Sequence, residues 1–205
     1  MVNIFSLIIL ALSLVVAITI HEFSHALAAD KLGDPTPRYQ GRLSLNPLKH
    51  LDPIGTLMLI FFHFGWGKPV VIDPYNFKNP KRDEILVSLA GPGSNLILAT
   101  ILSLIARFFV LNDLTIIVLS NLIQINVILA VFNLIPIPPL DGSKILFNLL
   151  PNDISIQWQE AFQRYGFVLL IILLFLPING SNFISIIMTP ALQIIFNLLS
   201  FGSSH

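Results

Sequence analysis

Apolar residues in this chain fall in long unbroken runs, with few polar positions to give them a face. Residues 2–20 carry no charge, and about 20 apolar residues let a helix cross the hydrocarbon core of a bilayer. The run predicts a first spanning helix. Its pattern continues from His21 to Leu32 and stops at Gly33, Asp34 and Pro35. A signal peptide would begin with positive charge and end in a small-residue cleavage pattern; neither is present, so the run reads as a true span. Three or four further spans are expected. They cover residues 85–111, interrupted by Gly91-Pro92-Gly93, residues 114–135, ending in Pro136, Pro138 and Pro139, residues 166–176, extended back toward Trp158, and residues 183–201, with Pro190 inside. Between residues 36 and 84 the pattern breaks up. One apolar run there, residues 54–66, reads as a short or re-entrant membrane element, and Val70-Val71-Ile72 reads as a short strand. The expected fold is an α-helical polytopic membrane protein. It has about five to six membrane helices and a small membrane-associated β element between the first helix and the helix carrying Ala90-Gly91-Pro92-Gly93-Ser94-Asn95.

Composition excludes the alternatives. Of 205 residues, 55% are apolar and 11% charged, against roughly 25% charged in soluble domains. Mean hydropathy is +0.83. A water-soluble or disordered chain is excluded. A formal net charge of zero leaves no electrostatic footprint for nucleic acid. With no cysteine, disulfides, cysteine-ligated zinc, iron–sulfur clusters and thiol catalysis are all ruled out. Eight of the eleven Lys and Arg residues lie within residues 31–82. The positive-inside rule assigns that segment to the cytoplasmic side and Met1 to the opposite one. A multi-pass protein of a plasma or other energy-transducing membrane is expected.

The chemistry sits at the end of the first span. His21-Glu22-Phe23-Ser24-His25 has the H-E-x-x-H spacing. Residues four apart share a helix face, so the two imidazoles can hold one metal ion while Glu22 reaches the water beside it. Ionisable groups within membrane helices are costly and usually functional. Catalytic zinc takes three protein ligands, and His63, Asp113 and Asp141 are the candidates for the third. Asp113 reads as a loop residue or helix cap beside Asn112. His63, within Leu59-Ile60-Phe61-Phe62-His63-Phe64, reads first as a packed or interfacial histidine. Asp141 follows a proline-broken stretch, residues 134–140, and irregular backbone in a bilayer is tolerated only inside protein or against a wet cavity. An ordinary Asp-Gly turn at the surface is the plain alternative.

Together these pieces resemble the site-2 protease family of intramembrane zinc metalloproteases. The resemblance rests on H-E-F-S-H at 21–25 and N-L-I-P-I-P-P-L-D-G at 133–142, with A-G-P-G-S-N at 90–95 and G-W-G-K-P-V at 65–70 as weaker matches. It covers roughly residues 1–150. It implies that Asp141 joins His21 and His25 on Zn2+, one ion per chain, and that Glu22 activates the water. Glu22 would take the proton from that water and return it to the leaving amine. Substrates would be transmembrane proteins or peptides within the bilayer, and the zinc site would lie nearer the cytoplasmic side. Residues 1–205 would form one transmembrane metalloprotease domain, with a catalytic core at 1–150 and C-terminal membrane helices at 151–205. No room is seen for the PDZ or CBS domain of many members, so regulation would fall to the core, to separate proteins or to homo-oligomerisation. Other divalent ions also suit a His/carboxylate set; zinc is preferred by analogy.

Two further roles are expected. Asn95, where Gly91 and Pro92 open the helix, is a candidate oxyanion donor, with a helix–helix hydrogen bond as the alternative. Val70, Val71 and Ile72 are a candidate edge on which an unwound substrate adds as a strand. A membrane metal carrier would also place His and Asp at depth, but it gives Glu22 no required place beside them.

Overall fold

The structure is a computed structural model that describes residues 4–62, 65–178 and 181–199. Its centre is a pair of long helices, α1 (Ile4–Leu32) and α4 (Pro80–Phe108). Their buried positions explain the pairing. In α1, Ile9, Ser13, Ala17, His21, His25 and Ala29 recur every four residues; in α4, Asp83, Val87, Gly91, Asn95 and Ala99 do the same. Each set forms one stripe along its helix, and two such four-residue ridges interdigitate. Ser13, Ala17 and Ala29 in one stripe and Gly91 and Ala99 in the other let the backbones approach closely, as is usual where lipid supplies no hydrophobic drive for helix association.

Helix α4 runs unbroken through Gly91-Pro92-Gly93, where an interruption was expected. Pro92 removes only one backbone donor, and membrane helices absorb that loss when neighbours pack against it. Asn112 caps the next helix, α5 (Asp113–Asn133), by accepting from Thr115 N at 2.9 Å. The proline-rich stretch then breaks the chain. It restarts as α6 (Asp141–Leu149), followed by α7 (Asn152–Phe175) and α8 (Phe183–Leu199). Two-residue strands β1 (Pro177–Ile178) and β2 (Ser181–Asn182) pair antiparallel between the last two helices. Ile135, Leu140, Leu170, Ile184 and Met188 form the core that ties the broken stretch to α7 and α8.

Among the described residues, three helices are long and apolar enough to cross a membrane: α1, α4 and α5. The expected five to six is thus reduced to three of full length. Residues Arg164–Phe175 of α7, and α8, are apolar but shorter, because the first half of α7 is polar. Outward faces carry exposed Ile8, Leu12, Val16, Ile97, Ile101 and Leu104. An exterior of that kind is stable in lipid and not in water, so the chain is an integral membrane protein.

Between α1 and α4 lie two short helices, α2 (Thr36–Tyr39) and α3 (Pro53–Phe62), and 3-10 turns at Pro47–Lys49 and Pro74–Asn76. The β element expected here is corrected: among the described residues this region holds one isolated antiparallel bridge, Leu51 with Gly67, and no strand. The reason is local. Pro69 and Pro74 have no N–H to pair, and the Val70 N–H is directed to a carboxylate instead of a neighbouring strand. Polar side chains hold this region together. Buried Asp34 accepts from Thr36 N (3.0 Å), Asp73 N (2.8 Å) and Asn76 Nδ2 (2.8 Å), joining the start of the segment to its end. Burial opposes ionisation of Asp34, but the hydrogen bonds outweigh it and hold the carboxyl below its usual range.

Candidate metal centre

His21 and His25 face α4 one helical turn apart, both buried. Asp141 is the first residue of α6, so the break in the chain delivers its carboxylate to the same point. His21 Nε2 lies 3.1 Å from Asp141 Oδ2, His25 Nε2 lies 3.0 Å from the same oxygen, and the two Nε2 atoms are 3.0 Å apart. Among the described residues this is the group able to offer three ligand atoms to one ion. His63 falls outside the described residues. Asp113 sits at the start of α5.

The ring protons can be assigned from their partners. His25 Nδ1 meets the Val87 carbonyl oxygen at 2.7 Å, which only accepts, so Nδ1 carries the proton. Asn95 Nδ2 donates to Ala17 O (3.0 Å) and Asn126 Oδ1 (2.7 Å), so Asn95 Oδ1 faces His21 Nδ1 at 2.7 Å and Nδ1 again donates. Both Nε2 lone pairs therefore point at each other and at a carboxylate oxygen. Such a triangle calls for a cation. Ligands about 2.0–2.1 Å from a tetrahedral zinc sit about 3.3 Å apart, close to the separations here. Held imidazole N–H groups are the usual outer support of histidine ligands. The donor set fits Zn2+.

Two glycines make the approach possible. A Cβ on Gly91 would meet His21 Nε2 at 2.7 Å and also collide with His25 Nε2; a Cβ on Gly142 would strike the Leu134 backbone and come within 2.6 Å of Ile135 O. Gly91 lets α4 touch the imidazoles, and Gly142 lets α6 begin against the broken stretch. Lys144, one turn after Asp141, brings Nζ to 3.7 Å from Oδ1, the carboxylate oxygen that does not face the histidines.

Glu22 points elsewhere. Its Oε2 accepts from Val70 N at 3.1 Å and lies 3.6 Å from Arg42 Nη2. Val70 is buried, Val71 exposed and Ile72 half-buried, the alternation of a strand edge without a strand partner. Both amide hydrogens of Asn95 are engaged, by Ala17 O and Asn126 Oδ1, and its oxygen meets the His21 ring, the helix–helix hydrogen bonding expected as the alternative to an oxyanion role. Asn126 and Arg42 escaped the sequence reading. Asn126 carried a signal, as a polar residue inside an apolar span. Arg42 carried none among so many basic neighbours.

Comparison with known proteins points to a zinc enzyme. Residues 111–173 match peptidase family M50, the site-2 protease family. A Bacillus subtilis protein named "Putative zinc metalloprotease YwhC" is 40% identical, with 83% of this chain and 82% of that protein covered. A Mycolicibacterium smegmatis protein named "Putative zinc metalloprotease Rip2" is 31% identical over 83% of this chain and 68% of its own length. "Zinc metalloprotease MJ0392" of Methanocaldococcus jannaschii is 26% identical over 88% of this chain and 46% of its own length. No solved structure matches. On its likeness to these relatives, and with a three-ligand centre suited to zinc, the chain belongs to peptidase family M50.

Proposed function

We propose that this zinc metalloendopeptidase cleaves peptide bonds within or near transmembrane segments of membrane proteins, with His21, His25 and Asp141 as zinc ligands and Glu22 as general base and acid. Convergence of two Nε2 atoms and one carboxylate oxygen within 3.0–3.1 Å is the observation that carries the reading. Zinc held there supplies Lewis acidity to a peptide carbonyl and lowers the pKa of water. The chain's own groups do the rest. Asn95 and the Val87 carbonyl fix both imidazole tautomers. Glu22, next to His21, takes a proton from water and delivers it to the leaving nitrogen. With both amide hydrogens of Asn95 engaged, Lys144, whose Nζ lies 3.7 Å from Asp141 Oδ1, would be the side chain to place positive charge beside an oxyanion.

A substrate helix hides its carbonyls in internal hydrogen bonds, and an unwound segment in lipid needs replacement partners. The segment Val70–Ile72, with Val71 outward, is our candidate to receive such a segment by strand addition, through groups other than the Val70 N–H, which Glu22 already accepts. The concentration of basic residues in 31–82 supports a cytoplasmic position for this region and for the zinc site. The α7–α8 hairpin, joined to the Asp141 stretch by a shared core, completes the bundle in the bilayer.

The test is cleavage of a membrane-tethered reporter by the purified chain and its Glu22→Gln variant, with zinc measured in both. The variant should keep zinc and lose turnover; a variant cleaving at the wild-type rate would remove Glu22 from the mechanism. Because the chain has no cysteine, Tyr75→Cys at an exposed site reports sidedness. It should label with impermeant reagent only when the cytoplasmic face is open.

A further inference from the structure

Arg42 is buried, with its side chain 5% exposed, although it lies in the polar segment outside the membrane helices. Nη1 donates to Lys49 O and Nη2 to Lys68 O. These bonds tie two segments of backbone that also meet at the Leu51–Gly67 bridge and the Lys68 N to His50 O bond of 2.7 Å. Nη2 also faces Glu22 Oε2 at 3.6 Å, and Glu22 is 13% exposed. The same oxygen accepts from Val70 N, and a Cβ on Gly67 would lie 3.6 Å from Glu22 Oε1. The Gly67–Val70 backbone therefore rests on Glu22, and Arg42 fastens both. A loop stitch needs no charge. A guanidinium, which stays cationic, is costly to bury without a partner anion, and Glu22 is that anion.

We propose that Arg42 is a positioning residue for the peptidase reaction. Together with the Val70 N–H it holds Glu22 by Oε2, leaving Oε1 as the proton acceptor, and it seats the 67–70 backbone at the mouth of the site. This rests on the reading of Glu22 as the base. Among the described residues, Arg42 and the Val70 N–H are the polar contacts that hold the Glu22 carboxylate in place.

Arg42→Gln and Arg42→Lys, purified in detergent, test this through zinc content, kcat and KM on the membrane-tethered reporter, and Tm. Both variants should keep one zinc per chain. In Arg42→Gln kcat should fall about 10- to 100-fold, the range for removal of an outer support, with KM within about twofold. Arg42→Lys restores charge without the fork and should recover part of the loss. Combined with Glu22→Gln, the Tm shift of Arg42→Gln should shrink, since the partner charge is already gone. That coupling is read without turnover, so it survives if Glu22 proves not to be the base. Wild-type kcat in zinc-loaded Arg42→Gln, no recovery in Arg42→Lys, or strictly additive Tm shifts, would overturn the proposal. Loss of fold and zinc in both variants would do so too, because Arg42 would then be a stitch alone.

Discussion

Two neighbouring residues of α1 answer to different parts of the molecule. His21 is held from within the helix bundle, by Asn95 of α4, which is itself held by Asn126 of α5. Glu22 is held from outside it, by Arg42 and Val70 of the polar segment. The bundle packs along the buried stripes of α1 and α4. The polar segment is docked on those helices by Phe77 and Ile72, against Ala29 and Val87, and is joined within itself by carboxylate and guanidinium bonds at Asp34 and Arg42. The difference makes the proposed metal retention and proton transfer separable: damage to the bundle should release zinc, and damage to the segment should spare zinc and slow the reaction.

The largest expected effect is that of Glu22→Gln, about 10²- to 10⁴-fold in kcat, the usual contribution of a positioned base, with zinc unchanged. Zinc loss in that variant would merge the two halves of the comparison. Gly91→Ala acts on the other half, because its methyl group meets both imidazoles. Overpacking of this kind costs about 1–3 kcal/mol. The strain falls on the ligands, so zinc affinity measured by competition with a chelator should drop by roughly 5- to 150-fold. Asn126→Ala removes one support a step further out and should weaken zinc by about tenfold while the fold persists.

Asp34→Asn is expected to have the smallest effect on turnover, a few-fold, through loosening of the segment that carries Arg42. It also has a pH signature. The Asp34 pKa is depressed, so its contribution is fully present above the ordinary carboxylate value of about 3.9 and is lost as pH falls through the depressed value. Hydrogen-exchange protection of the Asp73 and Thr36 amides should fall over that acid range in the wild type. In Asp34→Asn it should be low at every pH. Equal protection in both proteins would show that Asp34 does not staple the segment.

Much of the bundle was legible because its signals are dense. The apolar runs located α1 and α5 nearly to the residue, and H-E-x-x-H with the proline-broken L-D-G located residues that the fold brings together. The polar segment was opaque for a physical reason. Val70-Val71-Ile72 has the composition of a strand, but its pairing depends on where the Val70 N–H goes, and that is decided by Glu22 nearly fifty residues earlier. Arg42 looks like any surface arginine until Lys49, Lys68 and Glu22 are folded around it. Asn95 was legible as a polar residue near the centre, and its hydrogen bonds were not, because the His21, Ala17 and Asn126 partners lie on other helices. The GPG sequence at 91–93 reads as a break on propensity. Packing against α1 overrides it.

The central claim, that one ion is shared by His21, His25 and Asp141, is most directly tested by zinc analysis with X-ray absorption at the zinc edge. Wild type and Asp141→Ala would be purified from membranes side by side. The account predicts one zinc per wild-type chain with two imidazoles and a carboxylate oxygen in its shell, and less than about a tenth of that zinc after Asp141→Ala, since two histidines alone leave the usual three-ligand set incomplete. Full zinc occupancy with an unchanged spectrum in Asp141→Ala would contradict it.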